Sequence, residues 1–294
     1  MNASISAAAA LSLLVAVPAP QSRPAGKLQS RRVFVTVRDR SGQAVTDLKT
    51  GDFEVTENDV KREVTKAGLA ESPMRIVLLV DTSEGTTPAV NHIRTALSAF
   101  LDALPPEHEV TLVSTGRQVR VRVPPTTDRK KLKDAANGIF SEGGATPLMD
   151  ALLEMDDRFL RKAEDRWPVF VIITGDGGES SAGANEKKFN DWLRALPARG
   201  ISAHGVSLKL KGGGTPEMIA QHVSQTAGGQ YDFINTSNSL PGKMKGIAEQ
   251  LAQDFERGRT KYEITFLTDA ADRPVSIGVA RQGVFLEMSA GRLR

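Results

Sequence analysis

Five apolar residues, Ile76 to Val80, run without a break into Asp81, Thr82, Ser83, Glu84 and Gly85. A strand that is apolar at every position has both faces covered, which places it inside a parallel sheet with helices on each side. Ligands of such sheets bind beyond the carboxyl ends of the strands. Asp81 and Ser83 therefore stand where function is expected. Val169 to Ile173 repeats the pattern and runs into Thr174, Gly175, Asp176, Gly177 and Gly178.

Around these two strands the periodicity alternates. Helical spacing is read over Pro88 to Leu104, Asp128 to Phe140, Pro147 to Arg161, Asn185 to Leu196, Thr215 to Thr226 and Leu240 to Phe255. Strand patterns fall at Val110 to Val113, Val119 to Val123, Ile201 to Leu208 and Tyr231 to Ile234. Strand and helix in alternation over residues 75–255 predict an α/β domain, a doubly wound and mainly parallel sheet with right-handed crossovers. On either side the signal is β only: Arg32 to Arg38, Asp52 to Glu57 and Lys61 to Thr65 before it, and Lys261 to Leu267, Val275 to Ala280 and Val284 to Met288 after it. The expectation is a small antiparallel module in which residues 31–70 pack with residues 258–294, the α/β domain being inserted between them.

Residues 1–30 read as a segment similar to a signal peptide, followed by a linker. Ala7 to Val17 is apolar and ends in Val17-Pro18-Ala19, a small-residue pattern of the kind that precedes cleavage. The run is too short for a bilayer, which needs about 20 residues. Export to the periplasm or the extracellular space is expected, with no membrane span in the mature chain. The sequence contains no cysteine, which excludes disulfides, thiolate metal sites and a cysteine nucleophile. A net charge of +3, from 38 basic and 35 acidic residues, gives no reason to expect nucleic acid as a partner.

Three loops are expected to meet at the carboxyl edge of the sheet: Asp81 to Gly85, Gly143 to Pro147, and Gly175 to Glu179. They offer Asp81, Ser83, Thr146, Asp176 and Glu179. Hydroxyls and carboxylates without histidine or cysteine are hard ligands, suited to magnesium, manganese or calcium rather than zinc. The same side chains also suit a structural role, bonding backbone amides at the sheet edge. Enzymatic signatures are missing: there is no GxSxG elbow, no phosphate loop ending in GK[ST] and no HExxH pair. Phosphotransfer through Asp81 is the remaining enzymatic reading, and it lacks a second carboxylate.

The strand ending VLLVDTS, the loop GGATPLMDAL and the strand VFVIITGDGGESS together resemble the three motifs of von Willebrand factor type A (VWA) domains, and the flanking strands, with DFEVTEND near residue 52, resemble those that bracket the domain in a bacterial exported family related to it. The resemblance implies a non-enzymatic protein-binding or adhesion module, with a metal-ion-dependent adhesion site (MIDAS) that binds magnesium or manganese and leaves one coordination position for an acidic residue of a protein partner. Carried over by position, Asp81, Ser83 and Thr146 match the ligands. Gly85 stands in place of the second serine, and Gly175 in place of the aspartate of Asp-Gly. A loop shifted by one residue would bring in Asp176. The site expected from the resemblance is therefore degenerate, formed by Asp81, Ser83, Thr146 and Asp176. The competing expectation is a structural or scaffolding component of an envelope assembly, without metal.

Overall fold

The computed structural model describes residues 28–161, 166–183, 186–197, 199–210, 214–269 and 274–288. The apolar segment at residues 7–17 lies outside them, as do Asn185 and residues 211–213.

The chain opens with β1 (Gln29–Asp39), β2 (Phe53–Glu57), β3 (Val60–Arg62) and β4 (Val64–Leu69). It then enters β5 (Met74–Val80), α1 (Val90–Ala103), β6 (Glu109–Thr115), β7 (Val119–Thr126), α2 (Arg129–Asn137) and α3 (Leu148–Met155). Next come β8 (Trp167–Gly175), α4 (Glu186–Ala195), β9 (Ser202–Leu208), α5 (Thr215–Thr226), β10 (Tyr231–Ile234) and α6 (Leu240–Gly258). The last strands are β11 (Lys261–Thr268), β12 (Val275–Val279) and β13 (Val284–Met288).

The large sheet has the order β10-β9-β8-β5-β6-β7, parallel except for β7, which runs antiparallel to β6. The apolar runs are explained by where alternate residues go. Ile76, Leu78 and Val80 of β5, with Val169, Val171 and Ile173 of β8, enter a core with Ile93, Leu97 and Phe100 of α1 and Met244, Ile247 and Leu251 of α6. Val77 and Leu79, with Phe170 and Ile172, enter the opposite core with Leu148 and Leu152 of α3, Trp192 of α4 and Val223 of α5. The period of two in a strand thus serves two helical layers at once.

The sequence pattern predicts one helix over residues 147–161, but the α-helix ends at Met155 and widens into a π turn over Asp156–Leu160. The Arg161 amide bonds the Asp156 carbonyl at 2.9 Å. The buried Asp156 carboxylate is held by Trp192 Nε1 and Arg199, a set of partners that accompanies the widened turn.

The remaining strands form two smaller sheets, β13-β1-β11-β4 and β12-β2-β3. Each mixes strands from before and after the α/β domain: β1 pairs with β11 and β13, and β2 with β12. Val35, Val55, Phe53, Tyr262, Ile264 and Phe266 fill the space between them. Edge contacts of Trp167 with Phe34 and Phe255 join this module to the foot of the large sheet.

Candidate functional site: the carboxyl edge of the large sheet

Strand order reverses at β5, which has β6 on one side and β8 on the other. The crevice at such a reversal is the usual binding position in open α/β sheets. Asp81 lies at its floor. The Asp81 amide bonds Ile173 O at 2.8 Å, which draws the end of β5 against β8. The Asp81 carboxylate is 1% exposed. Its Oδ1 accepts from the Ser83 amide at 2.8 Å. Its Oδ2 accepts from the Gly175 amide at 2.9 Å and from Thr174 Oγ1 at 3.3 Å. Burial pushes its pKa above the ordinary carboxylate value, and the bonds from Ser83, Gly175 and Thr174 offset part of that rise.

Ser83 and Thr146 are both buried at the same edge. Thr146 follows Gly143 and Gly144, whose φ values of 75° and 71° lie in the left-handed region that glycine tolerates without strain. The Thr146 hydroxyl donates to Thr115 Oγ1 at 2.8 Å, and Thr115 donates in turn to Val80 O at 3.4 Å. The loops are bonded to one another throughout: Glu84 N to Gly144 O at 3.0 Å, Glu142 N to Thr82 O at 2.7 Å, Thr82 Oγ1 to Glu142 Oε2 at 2.7 Å, and Thr146 N to Gly178 O at 3.0 Å. Glu142 pairs with Arg122 at 2.8 Å, and these contacts hold its pKa below the ordinary value against the effect of burial.

Asp176 is directed differently. Its Oδ1 accepts the Leu210 amide at 2.8 Å, from the segment that follows β9. Glu179 turns to its own loop and takes the Ser181 amide at 3.0 Å and the Met149 amide at 3.3 Å. Among the described residues, no three histidine, aspartate or glutamate side chains gather as a metal site.

The donor set does not fit a six-coordinate hard cation. Magnesium requires near-octahedral oxygens at about 2.1 Å. Gly85 and Gly175 contribute none, and a Cβ built on Gly175 would stand 2.7 Å from Leu210 Cδ1. An apolar methyl thus lies where a ligand side chain from position 175 would begin.

The sequence pattern does not single out Thr115, Glu142 and Leu210 as parts of this edge, nor the hydrogen-bonding roles of Thr82 and Thr174 within it. Thr174 and Thr115 were findable as the last polar residues of β8 and β6. Leu210 had a weaker signal, its place two residues beyond an apolar strand of the same sheet.

A doubly wound sheet with polar loops over its reversal point defines the class: an α/β domain whose ligand edge carries hydroxyls and two buried carboxylates, Asp81 and Asp176. Residues 76–179 match the family model described as the von Willebrand factor type A domain. Among solved structures, a von Willebrand factor type A protein from Catenulispora acidiphila aligns with a TM-score of 0.54 at 12% identity, covering 90% of this chain and 72% of that one. Proximal thread matrix protein 1 from the mussel byssus, in a structure with a zinc-occupied MIDAS motif, aligns with a TM-score of 0.50 at 11% identity, over 71% of this chain and 50% of that one. BatB from Bacteroides thetaiotaomicron aligns with a TM-score of 0.47 at 17% identity, over 63% and 99% of the two chains. At such identities the likeness concerns the fold. No curated protein matches the sequence.

Proposed function

We propose that this protein is a non-enzymatic protein-binding module, exported from the cytoplasm, whose partner docks on the loops at the carboxyl edge of the large sheet without a bridging metal. The observation that carries this reading is the rim itself. It is cross-bonded between three loops, yet presents Phe140 half exposed with the Arg122 guanidinium 5.3 Å from its ring centre. Arg117 is exposed on the same rim, where its backbone lies against Gly144. In the family resembled, a cation receives an acidic residue of the partner; here Arg117 supplies the positive charge. Asp81 is buried and already accepts three donors, which supports a structural rather than a nucleophilic use of its carboxylate.

Capture of partner proteins from envelope extract is expected to persist in chelator and to fall at least about tenfold in Arg117→Glu combined with Phe140→Ala, the scale of a loss of 1.4 kcal/mol or more. Capture abolished by chelator and restored by magnesium would instead show a metal-bridged adhesion site. Capture indifferent to both treatments would favour a scaffold that binds through another face. Turnover of a chromogenic phosphate ester that vanished in Asp81→Asn would overturn the non-enzymatic reading.

A further inference from the structure

We infer that Leu210 takes over the place of the cation, so that Leu210 and Gly175 form a matched pair: an apolar plug seated at the carboxyl edge, with glycine at the position where a side chain would collide with it, and with Gly85 in van der Waals reach of the same methyl group. This inference deepens the metal-independent reading above, and it concerns the ion site alone, whatever the partner is.

Leu210 Cδ1 is 2.7 Å from the Cβ position of Gly175 and 3.9 Å from that of Gly85, so one methyl group borders both positions. The same Cβ position on Gly175 is 3.5 Å from Asp81 Oδ2. A carboxylate grown from residue 175 would therefore enter the space between Asp81 and Leu210. A contact of 2.7 Å is inside the separation of about 3.5–4.0 Å at which carbon atoms attract, so a side chain at 175 requires the terminal methyl of Leu210 to turn aside.

The plug is also held from behind. The Leu210 amide bonds Asp176 Oδ1 at 2.8 Å. Asp176 N bonds Leu208 O at 3.2 Å. Gly214 packs so closely on the exit of β8 that its Cβ would fall 2.4 Å from Asp176 O. Both described flanks of the segment after β9 are thus fixed to the loop that carries Asp176, and Leu210 packs against the core beneath α1 and α6. The shift of the acidic residue from position 175 to 176 fits this arrangement. At 176 the carboxylate serves the backbone of the plug and leaves the space at 175 to the methyl group.

The test uses the full chain and manganese as the probe, read by titration calorimetry and by the loss of the free-ion paramagnetic signal. Wild type, Leu210→Ala alone, and Gly85→Ser with Gly175→Asp are each expected to show no saturable binding. Gly85→Ser with Gly175→Asp and Leu210→Ala is expected to bind manganese with one-to-one stoichiometry, lost again on Asp81→Ala. Binding by wild type, or by the double variant with Leu210 in place, would overturn the inference, as would a folded triple variant that does not bind. A thermal-unfolding cycle covers the case in which the triple variant fails to fold. Gly175→Ala is expected to lower Tm by several degrees in wild type and by less than half as much in the Leu210→Ala background. Equal losses in the two backgrounds would show that the methyl does not oppose a side chain at 175. None of these readouts involves a partner, so a failed capture experiment and a failed plug are separate results.

Discussion

Thr146 Oγ1 donates a 2.8 Å hydrogen bond to Thr115 Oγ1, and through it the loop after α2 is fastened to the end of β5, because Thr115 passes a hydrogen bond to Val80 O. Both hydroxyls are buried, so each lost bond strands a polar group away from water. Thr146→Val is expected to lower stability by about 1–2 kcal/mol. Thr115→Val is expected to cost at least as much, since it removes both the acceptor of the Thr146 hydroxyl and the donor to Val80 O. In urea unfolding, the double variant should be about 1 kcal/mol more stable than the sum of the single losses implies. Strict additivity would mean that the two hydroxyls act independently.

Glu57 is fully buried and joins the two small sheets. Its Oε1 meets Arg31 of β1 at 2.9 Å, and its Oε2 meets Arg62 of β3 at 2.9 Å and Thr268 of β11 at 2.7 Å. Removing one partner of a buried ion pair costs about 3–5 kcal/mol. Glu57→Ala should show a loss on that scale in denaturant unfolding, and Glu57→Gln a smaller one. A loss below 1 kcal/mol for the alanine variant would show that the two sheets do not depend on this carboxylate.

His108 at the opposite edge of the large sheet predicts a pH dependence. It is buried, its Nδ1 accepts the Met74 amide at 3.2 Å, and its ring meets Phe255 edge-on with centres 4.6 Å apart. Burial pushes its pKa down from 6.5 to about 4; Glu107 opposes the shift, while Arg129 and Arg166 add to it. The folded state thus binds a proton less readily than the unfolded state. The stability this group contributes is complete above pH 6.5 and is lost as pH falls towards 4, with a total of about 3 kcal/mol. Unfolding free energies measured between pH 7.5 and 4 should show this slope in wild type. A slope unchanged in His108→Gln would assign it to other groups.

Asp156 organises the turn after α3. Its Oδ2 accepts from Trp192 Nε1 at 2.9 Å and Arg161 Nε at 3.2 Å, and its Oδ1 from Arg199 Nη2 at 2.7 Å. Asp156→Ala leaves the indole and the guanidinium without their shared acceptor and is expected to cost about 3 kcal/mol. In a Trp167→Phe background, the emission of Trp192 should shift to longer wavelength as α4 loosens. An unchanged spectrum at full stability would mean that packing alone fixes the indole.

The sheet was legible in the sequence because Ile76 to Val80 of β5 and Val169 to Ile173 of β8 are apolar at every position, and a strand covered on both faces reads that way. The edge was legible in part. Asp81 and Ser83 sit where the chain leaves β5, and Thr146 sits in the glycine-marked loop between α2 and α3, so local pattern pointed to them. Leu210 was not legible, because its neighbours Gly85 and Gly175 are distant in the chain and meet it only through the order β9-β8-β5. The turn at Asp156 was hidden for a similar reason: Phe159 continues the helical spacing, and the buried acceptor that accompanies the widening depends on Trp192 and Arg199 from later elements. Periodicity reports which face is covered, not which polar group lies behind it.

The pairing of β1 with β13 has a mechanical consequence. The two strands are antiparallel, with Asp39 opposite Val284 and Val35 opposite Met288, so the described chain leaves the module in one direction at both ends. Tension applied to those ends acts first on the β1–β11 pairs that begin at Gln29 and on the β1–β13 pair of Val35 with Met288, and opens both antiparallel ladders one bond at a time, as a zipper opens, rather than shearing them all at once. The α/β domain is attached through β4 and β11, and its own large sheet shares no strand with the ladders that are loaded first. The rim that carries Phe140 and Arg117 can keep its shape while the strands beneath it take up the first load.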